Sequence, residues 1–139
     1  MNIKVCELMT GSVVTTQQHK SVEHVRALLE RNELSAVPVV DSNQQPIGIV
    51  SATDLLSNLK PNSPISTIMT EKVYTVPQYD DVSTAARVMR NHKIHRVVVT
   101  HEQRVVGVLS SFDLLQLVEG RRFVAKNPPS EPKRQSRSR

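Results

Sequence analysis

The sequence predicts an α/β fold built from two βαββα units that are related by pseudo-twofold symmetry. The first observation is an internal repeat, in which Leu8-Met9-Thr10 recurs sixty residues later as Ile68-Met69-Thr70. The second is a motif of the form Gly-x-x-Ser-x-x-Asp, which starts at Gly48 and again at Gly107. The offset changes by only one residue over about fifty positions, which indicates a duplicated unit rather than chance similarity.

Each unit is predicted to begin with a strand and an amphipathic helix. A short β-branched run comes first, at Val13–Thr16 and again at Val73–Val76. Ser21 and Asp81 then stand where the helices need their N-caps. The apolar residues at helical spacing are Val22, Val25, Leu28 and Leu29 in the first unit and Val82, Ala85, Val88 and Met89 in the second.

Each unit is predicted to end with two strands and a second helix. The strands fall at 36–41 and 47–51 in the first unit and at 96–100 and 104–109 in the second, with tight polar turns between them. The second helix is predicted to begin at each Ser-x-x-Asp and to run to Leu59 or to Val118.

The chain is predicted to divide into four segments. They are a first unit at 1–59, a linker at 60–67, a second unit at 68–118 and a basic tail at 119–139. Pro61 and Pro64 in a short polar stretch predict the linker. Since about fifty residues bury too little surface to be stable alone, the two units are expected to pack as one domain. The tail lacks apolar periodicity, so it is expected to be disordered in isolation.

The net charge of +5 lies entirely in the tail. Residues 1–118 carry 11 basic and 11 acidic side chains, whereas residues 119–139 carry seven basic and two acidic ones. The charge balance therefore gives no support for nucleic-acid binding by the folded part. Nucleic acid stays an alternative partner for the tail alone. A solvated tail is the simpler interpretation, because no aromatic residues alternate with its last Lys and Arg residues.

The composition favours a cytoplasmic protein without a membrane span. Cys6 is the one cysteine and cannot form an intramolecular disulfide. Apolar runs such as Ala36–Val40 are far too short to cross a bilayer, and the first residues lack the apolar core of a signal peptide. Because only 3% of the residues are aromatic, the core must consist of aliphatic side chains.

The repeated Gly-x-x-Ser-x-x-Asp motif is the strongest chemical signal in the chain. As a structural feature, Ser51 with Asp54 and Ser110 with Asp113 fit helix caps, in which both side chains serve the first turn. As a functional feature, the same turn offers amides and a hydroxyl to a phosphate, and the Asp can accept hydrogen bonds from ribose. The glycine leaves room for close backbone approach. Both interpretations stay open, and one residue can serve both.

The two units resemble CBS domains, and the pair resembles a Bateman module, over residues 3–118. The resemblance is carried by the Leu-Met-Thr and Ile-Met-Thr segments, by Ser35–Asp41 and by Gly48–Leu56. It implies a regulatory module, not an enzyme, that binds AMP, ADP, ATP or S-adenosylmethionine between the units and requires no cofactor. It also implies a homodimer and a regulated protein that the sequence does not name. The alternative is a non-catalytic protein-interaction or dimerisation module with vestigial pockets.

The resemblance further implies two related pockets, each of which draws on both units. The favoured pocket would use Ser51, Thr53, Asp54, Thr70, Tyr74, Ile94, His95 and Arg96. The second pocket would use Thr10, Val14, Leu34, Ser35, Ala36, Ser110 and Asp113. The first is better equipped for phosphate, because it has Thr53 where the second has Phe112 and Arg96 where the second has Ala36. A guanidinium can bind a phosphate bidentately.

A metal site is not expected. His92 and His95 have the spacing of a shared helical face, but His95 falls at the predicted start of a strand. No Cys or acidic residue completes a ligand set with zinc spacing.

Overall fold

Two three-stranded sheets with accompanying helices form the fold in the computed structural model, which describes residues 2–10 and 13–119. The predicted α/β class is confirmed. The strands are β1 Thr16–Gln17, β2 Ala36–Val40, β3 Pro46–Ser51, β4 Thr75–Pro77, β5 Arg96–His101 and β6 Arg104–Ser110. The α-helices are α1 Val5–Leu8, α2 Val22–Asn32, α3 Val82–His92 and α4 Ser111–Leu114. Short 3₁₀ helices occupy Thr53–Leu56, Ile65–Thr67 and Leu115–Leu117.

Both sheets have the same topology. In the first sheet β1 lies parallel to β2, and β2 lies antiparallel to β3; β4, β5 and β6 repeat this order. The register pairs Ala36 with Ser51 and Arg96 with Ser110. The same irregularity in register follows Val39 and Val99. The duplication of the sequence is therefore also a duplication of the strand pairing.

The opening strand of each unit begins later than its β-branched run predicts. Pairing of β1 with β2 starts only at Thr16, opposite Val39, and pairing of β4 with β5 starts at Thr75. Just before these points, Val14 packs against the core of the first unit, and the carbonyl of Tyr74 accepts a hydrogen bond from Val98 N–H of β5 at 2.9 Å. Both residues also border cavities.

The two longer helices begin and end in the same way. Ser21 Oγ accepts a hydrogen bond from the backbone N–H of His24 at 3.0 Å, and Asp81 Oδ1 accepts one from Ser83 at 2.8 Å. The N-caps predicted for both helices are thus confirmed. At the other end, Glu33 and Lys93 both adopt the left-handed conformation, with φ of 55°. The two C-cap residues therefore hold matching places in the two units.

The two main apolar cores do not follow the order of the chain. Val5 and Leu8 of α1 pack into the core of the second unit, with Val82 and Met89 among its members. Ile65, which falls in the segment predicted as a linker, is fully buried in the core of the first unit. The division at residues 59 and 68 thus describes the order of the chain, whereas the packing crosses it in both directions.

A third apolar cluster joins the two sheets. Val40 of β2 is buried against Val98 and Val105 of the second sheet. The backbone N–H of Val105 donates to the carbonyl of Gln44 at 2.9 Å, which links β6 to the turn between β2 and β3. The halves therefore pack on each other as the marginal size of one unit requires.

The second helix of each unit is shorter than predicted. In the first unit the 3₁₀ helix ends at Leu56, and Ser57 returns to an extended conformation, so the prediction of a helix to Leu59 is wrong. Only Leu55 is buried there, whereas Leu56 is 82% exposed, so no continuous apolar face supports further turns. In the second unit α4 ends at Leu114 and a 3₁₀ helix carries the chain on to Leu117.

The tail predicted at 119–139 lies outside the described residues from residue 120 onward. Over residues 2–10 and 13–119, no helix is both long enough and apolar enough to cross a membrane.

Candidate ligand-binding pockets

Two cavities of similar size lie where the halves meet, at positions related by the pseudo-twofold symmetry. One has a volume of about 300 Å³ and is called the Asp113 pocket. The other has a volume of about 290 Å³ and is called the Asp54 pocket. In each, the Ser-x-x-Asp turn of one unit forms part of the wall and residues around the helix-to-strand connection of the other unit form another part. The structure thus brings together residues that are far apart in the chain.

All seven residues predicted for the Asp113 pocket border this cavity. They are Thr10, Val14, Leu34, Ser35, Ala36, Ser110 and Asp113. Phe112 also lines it, although its side chain is 77% exposed. The geometry agrees with the grouping implied by the family resemblance, and ligand binding by these residues stays a prediction.

Seven of the eight residues predicted for the Asp54 pocket border the second cavity. They are Ser51, Asp54, Thr70, Tyr74, Ile94, His95 and Arg96. Thr53 does not border it; this exposed residue is the first of the 3₁₀ helix that follows β3. The phosphate-binding advantage that we expected from Thr53 therefore has no support in the cavity wall.

The Ser-x-x-Asp residues form reciprocal helix caps in both units. Asp113 N–H donates to Ser110 Oγ at 3.0 Å, while Ser110 N–H donates to Asp113 Oδ2 at 2.8 Å. The corresponding distances for Ser51 and Asp54 are 3.3 Å and 2.9 Å. The predicted capping box is thus confirmed at Ser110 of α4, and the first unit has the same reciprocal bonds just before a 3₁₀ helix whose cap position is Ala52. Because the same four residues also border the cavities, the caps hold their polar groups in place at the pocket walls.

The two motif glycines serve contacts within the chain. A Cβ atom on Gly48 would lie 3.2 Å from the carbonyl oxygen of Thr70, and Ile49 exchanges backbone hydrogen bonds with Thr70 at 3.0 Å and 2.9 Å. In the second unit, Thr10 N–H donates to the carbonyl of Val108 at 3.2 Å beside Gly107. The close approach expected at these glycines is therefore made by the Met-Thr segments. It fixes Thr10 and Thr70 at the cavity walls.

An aromatic pair supports one wall of the Asp54 pocket. The rings of Tyr74 and His92 are stacked with their centroids 4.0 Å apart, and Lys72 Nζ lies 5.9 Å from the centroid of Tyr74. Tyr74 and Lys72 both border the Asp54 pocket. The residue equivalent to Tyr74 in the Asp113 pocket is the smaller Val14. This wall offers a flat, partly polar surface to a ligand.

Sequence reasoning missed two features of the charged residues. Arg96, which was assigned to one pocket, borders both, as do its neighbour His95 and its counterpart Ala36. Glu33 borders the Asp113 pocket, and Lys72 and Lys93 border the Asp54 pocket. Glu33 and Lys93 directly precede Leu34 and Ile94, which were both predicted to line the pockets. This adjacency in the sequence could have identified them as lining residues.

Within the described ranges 2–10 and 13–119, no group of three His, Cys, Asp or Glu side chains is arranged to hold a metal ion.

A duplicated α/β unit with paired clefts at its junction defines a tandem repeat module in which each cleft is lined by both repeats. The chain belongs to the CBS domain family, since the model of that domain matches residues 5–61 and 65–120. The tandem pair implied by the sequence motifs is thereby confirmed.

Known proteins place this chain among CBS domain pairs. The inosine-5′-monophosphate dehydrogenase of Halobacterium salinarum is 34% identical over 108 residues, which are 76% of this chain and 22% of that enzyme. The crystal structure of the CBS domain pair of protein MJ0100, in complex with 5′-methylthioadenosine and S-adenosyl-L-methionine, is 25% identical with a TM-score of 0.78. The match covers 86% of this chain and 98% of that one. The CBS domain protein PAE2072 from Pyrobaculum aerophilum, complexed with AMP, is 29% identical with a TM-score of 0.74, over 81% and 90% of the two chains. This chain spans less than half the length of the curated relatives it matches.

Proposed function

We propose that this chain is a regulatory module that binds an adenosine-containing nucleotide, such as AMP, ADP or ATP, in the clefts between its two CBS units. The observation that carries the proposal is the position of the Ser-x-x-Asp caps. Each cap borders a cavity whose opposite wall belongs to the other unit. A ligand seated there touches both units at once, so its binding acts on their relative arrangement.

The chemistry of the walls supports a nucleotide. Each cap presents a serine hydroxyl, which can donate a hydrogen bond to a phosphate, and a carboxylate that can accept hydrogen bonds from ribose hydroxyls. Apolar residues such as Leu34 and Ile94 offer a surface for a base. The cavity volumes of about 300 and 290 Å³ lie at the lower end of the usual range for ligand sites, about 300–1,000 Å³. Similar CBS pairs bind AMP, 5′-methylthioadenosine and S-adenosyl-L-methionine.

The proposal assigns no catalytic residue. The hydroxyl oxygens of Ser51 and Ser110 accept backbone amides in the caps, which is a structural role. Binding energy here is available to change the shape of the module and its contacts with a regulated protein, not to drive a reaction.

The test measures the unfolding temperature with AMP, ATP and S-adenosylmethionine at millimolar concentration, with GMP and ribose 5-phosphate as controls. A ligand that binds only the native state, at about 100 times its Kd, adds about 2.7 kcal/mol to stability and raises the midpoint by several degrees. Asp54→Asn and Asp113→Asn should each reduce the shift, whereas the exposed Glu30→Gln, which borders neither cavity, should preserve it. No shift with any adenosine compound would overturn the proposal.

A second candidate function is a homodimeric interaction module with vestigial pockets. It is favoured by exposed apolar side chains on α4 and the following 3₁₀ helix, with Phe112 at 77% and Leu115 at 54% exposure. The pseudo-equivalent Leu56 is exposed as well. In a twofold dimer the same patch of each copy faces its partner, so an exposed apolar patch on one chain can pair with its copy. Light scattering should give twice the monomer mass, and Phe112→Ser with Leu115→Ser should halve it, whereas the distant Tyr79→Ser should not. A wild-type monomer would contradict this candidate.

A further inference from the structure

We infer that the two pockets sort their ligands by charge, so that the Asp54 pocket takes a polyphosphate chain and the Asp113 pocket takes an adenosyl compound without phosphate. The expectation that both ligands contain adenosine rests on the proposed function. The expectation that only one of them carries a phosphate chain rests on the charges of the pocket walls. The residues that decide it are Glu33 and Lys93, which hold equivalent positions and carry opposite charges.

The backbone places Glu33 and Lys93 alike. Each is the C-cap of the long helix of its unit, and each has φ of 55° with ψ of 45° or 44°. The N–H of each donates back to the last helical turn, to the carbonyls of Leu29 and Glu30 or of Met89 and Arg90. Both side chains are exposed at the rim of their cavities. The difference between the pockets at this position is therefore one of charge, not of geometry.

The other charged groups either cancel or strengthen the contrast. Arg96 borders both cavities, and Asp54 and Asp113 are equivalent, so neither distinguishes one pocket from the other. Lys72 adds a third cation to the Asp54 pocket, beside Lys93 and Arg96, where the sequence of the first unit has the uncharged Ser12. Among described lining residues, the Asp54 pocket thus has three cations and one carboxylate, and the Asp113 pocket has one cation and two carboxylates.

These charges select different ligands. Three cations around one carboxylate favour a chain of two or three phosphate groups, because the total negative charge of the ligand grows with each phosphate. Two carboxylates near one guanidinium repel such a chain and favour a nucleoside whose substituent is neutral or positive, such as the sulfonium and ammonium groups of S-adenosylmethionine. Because the rim residues are exposed, the selection must weaken as salt screens them.

The experiment uses charge reversals that keep the backbone. Lys93→Glu and Glu33→Lys each install the residue that the other unit already carries in the same left-handed conformation. Arg90→Glu and Glu30→Lys are matched controls, because these exposed residues lie in the last turn of the same two helices, make the same charge changes and border neither cavity. The probes are inorganic tripolyphosphate, ATP and S-adenosylmethionine. Affinity is measured by calorimetry. The occupied pocket is identified by NMR, from whether the backbone amide resonance of Ser51 or that of Ser110 shifts when the ligand is added.

Lys93→Glu should weaken tripolyphosphate and ATP by about tenfold at low salt, and Arg90→Glu by less than about twofold. Glu33→Lys should weaken S-adenosylmethionine and let ATP enter the Asp113 pocket, whereas Glu30→Lys should do neither. Equal effects of the pocket variants and their controls would overturn the inference while leaving nucleotide binding intact. The same holds if ATP shifts the amide resonance of Ser110 at lower concentration than that of Ser51, because ATP then prefers the Asp113 pocket. Tripolyphosphate binding that depends on Lys93, without binding of any adenosine compound, would retain the polyphosphate assignment and refute the proposed function. Failure of both tripolyphosphate and ATP to bind the wild-type chain overturns the inference as well.

Discussion

The Sδ atom of Met69 lies 2.5 Å from the position that a Cβ atom on Gly48 would occupy. The second unit repeats this relationship, since Met9 Sδ lies 2.6 Å from the same position on Gly107. Each motif glycine therefore accepts a methionine of the segment that ends in a pocket threonine. The glycine acts on the pocket through the packing of the chain, and its mutation tests that packing directly.

We predict that Gly48→Ala lowers the free energy of unfolding by about 1–3 kcal/mol, because the added methyl group overpacks a filled site. Urea denaturation measures the change. Met69→Ala removes the contacting side chain, so the double variant should be more stable than the sum of the two single losses implies. Additivity within about 0.5 kcal/mol would show that Met69 is not the group that excludes a side chain at position 48.

Arg96 borders the Asp54 pocket, to which we assign phosphate-bearing ligands, so we predict that Arg96→Ala weakens such a ligand there. Loss of a bidentate, charge-assisted contact should reduce affinity by about tenfold or more, and Arg96→Lys should restore only part of it. Calorimetry with AMP measures the effect. The control is Arg104→Ala, which removes the same charge from an exposed position outside both cavities. If the two variants bind AMP equally, Arg96 does not contact the phosphate.

The N-cap of α3 predicts a pH dependence. The backbone hydrogen bond from Ser83 lowers the pKa of Asp81 below its ordinary value of 3.8. A carboxylate with a lowered pKa in the folded state adds stability above the ordinary value and loses it as the pH falls through the folded pKa. Asp81→Ser installs the neutral cap that Ser21 provides to α2. The difference in unfolding temperature between wild type and variant should be largest near neutral pH and shrink below about pH 4. A constant difference from pH 7 to pH 3 would contradict this cause.

Ile65 is fully buried in the core of the first unit although it precedes the second unit in the chain. We predict that Ile65→Ala lowers the free energy of unfolding by about 2–5 kcal/mol, as for other large core truncations. The neighbouring Ser66→Ala should change it by less than about 0.5 kcal/mol. Equal, small effects of the two variants in chemical denaturation would mean that the segment is a passive linker after all.

The fold and most of the pocket walls could be predicted from the sequence because the repeat preserves local rules. The Ser-x-x-Asp caps and the N-caps Ser21 and Asp81 depend on residues within three positions of each other, so the sequence pattern contains the whole interaction. The pocket residues followed from the family resemblance, and in the Asp54 pocket only Thr53 falls away from the cavity wall.

Features that depend on packing could not be predicted in this way. Nothing in the sequence near Val5 indicates that it is buried in the core of the second unit, and nothing near Ile65 indicates that it is buried in the core of the first. The end of the second helix at Leu56 is set by the lack of a surface for the next turn to cover, which periodicity alone does not reveal. The presence of Arg96 at both cavities needs the relative position of the two sheets.

The exchange of α1 and Ile65 between the two cores affects what a melting experiment can report. Because each half contributes apolar side chains that complete the other, heat should disrupt both in a single cooperative transition rather than in two separate steps. A ligand in either pocket then raises the same midpoint of unfolding. The size of the shift shows that a ligand is bound but not which pocket holds it. Only site-resolved signals, such as those of Ser51 and Ser110, can say which cleft a nucleotide has entered.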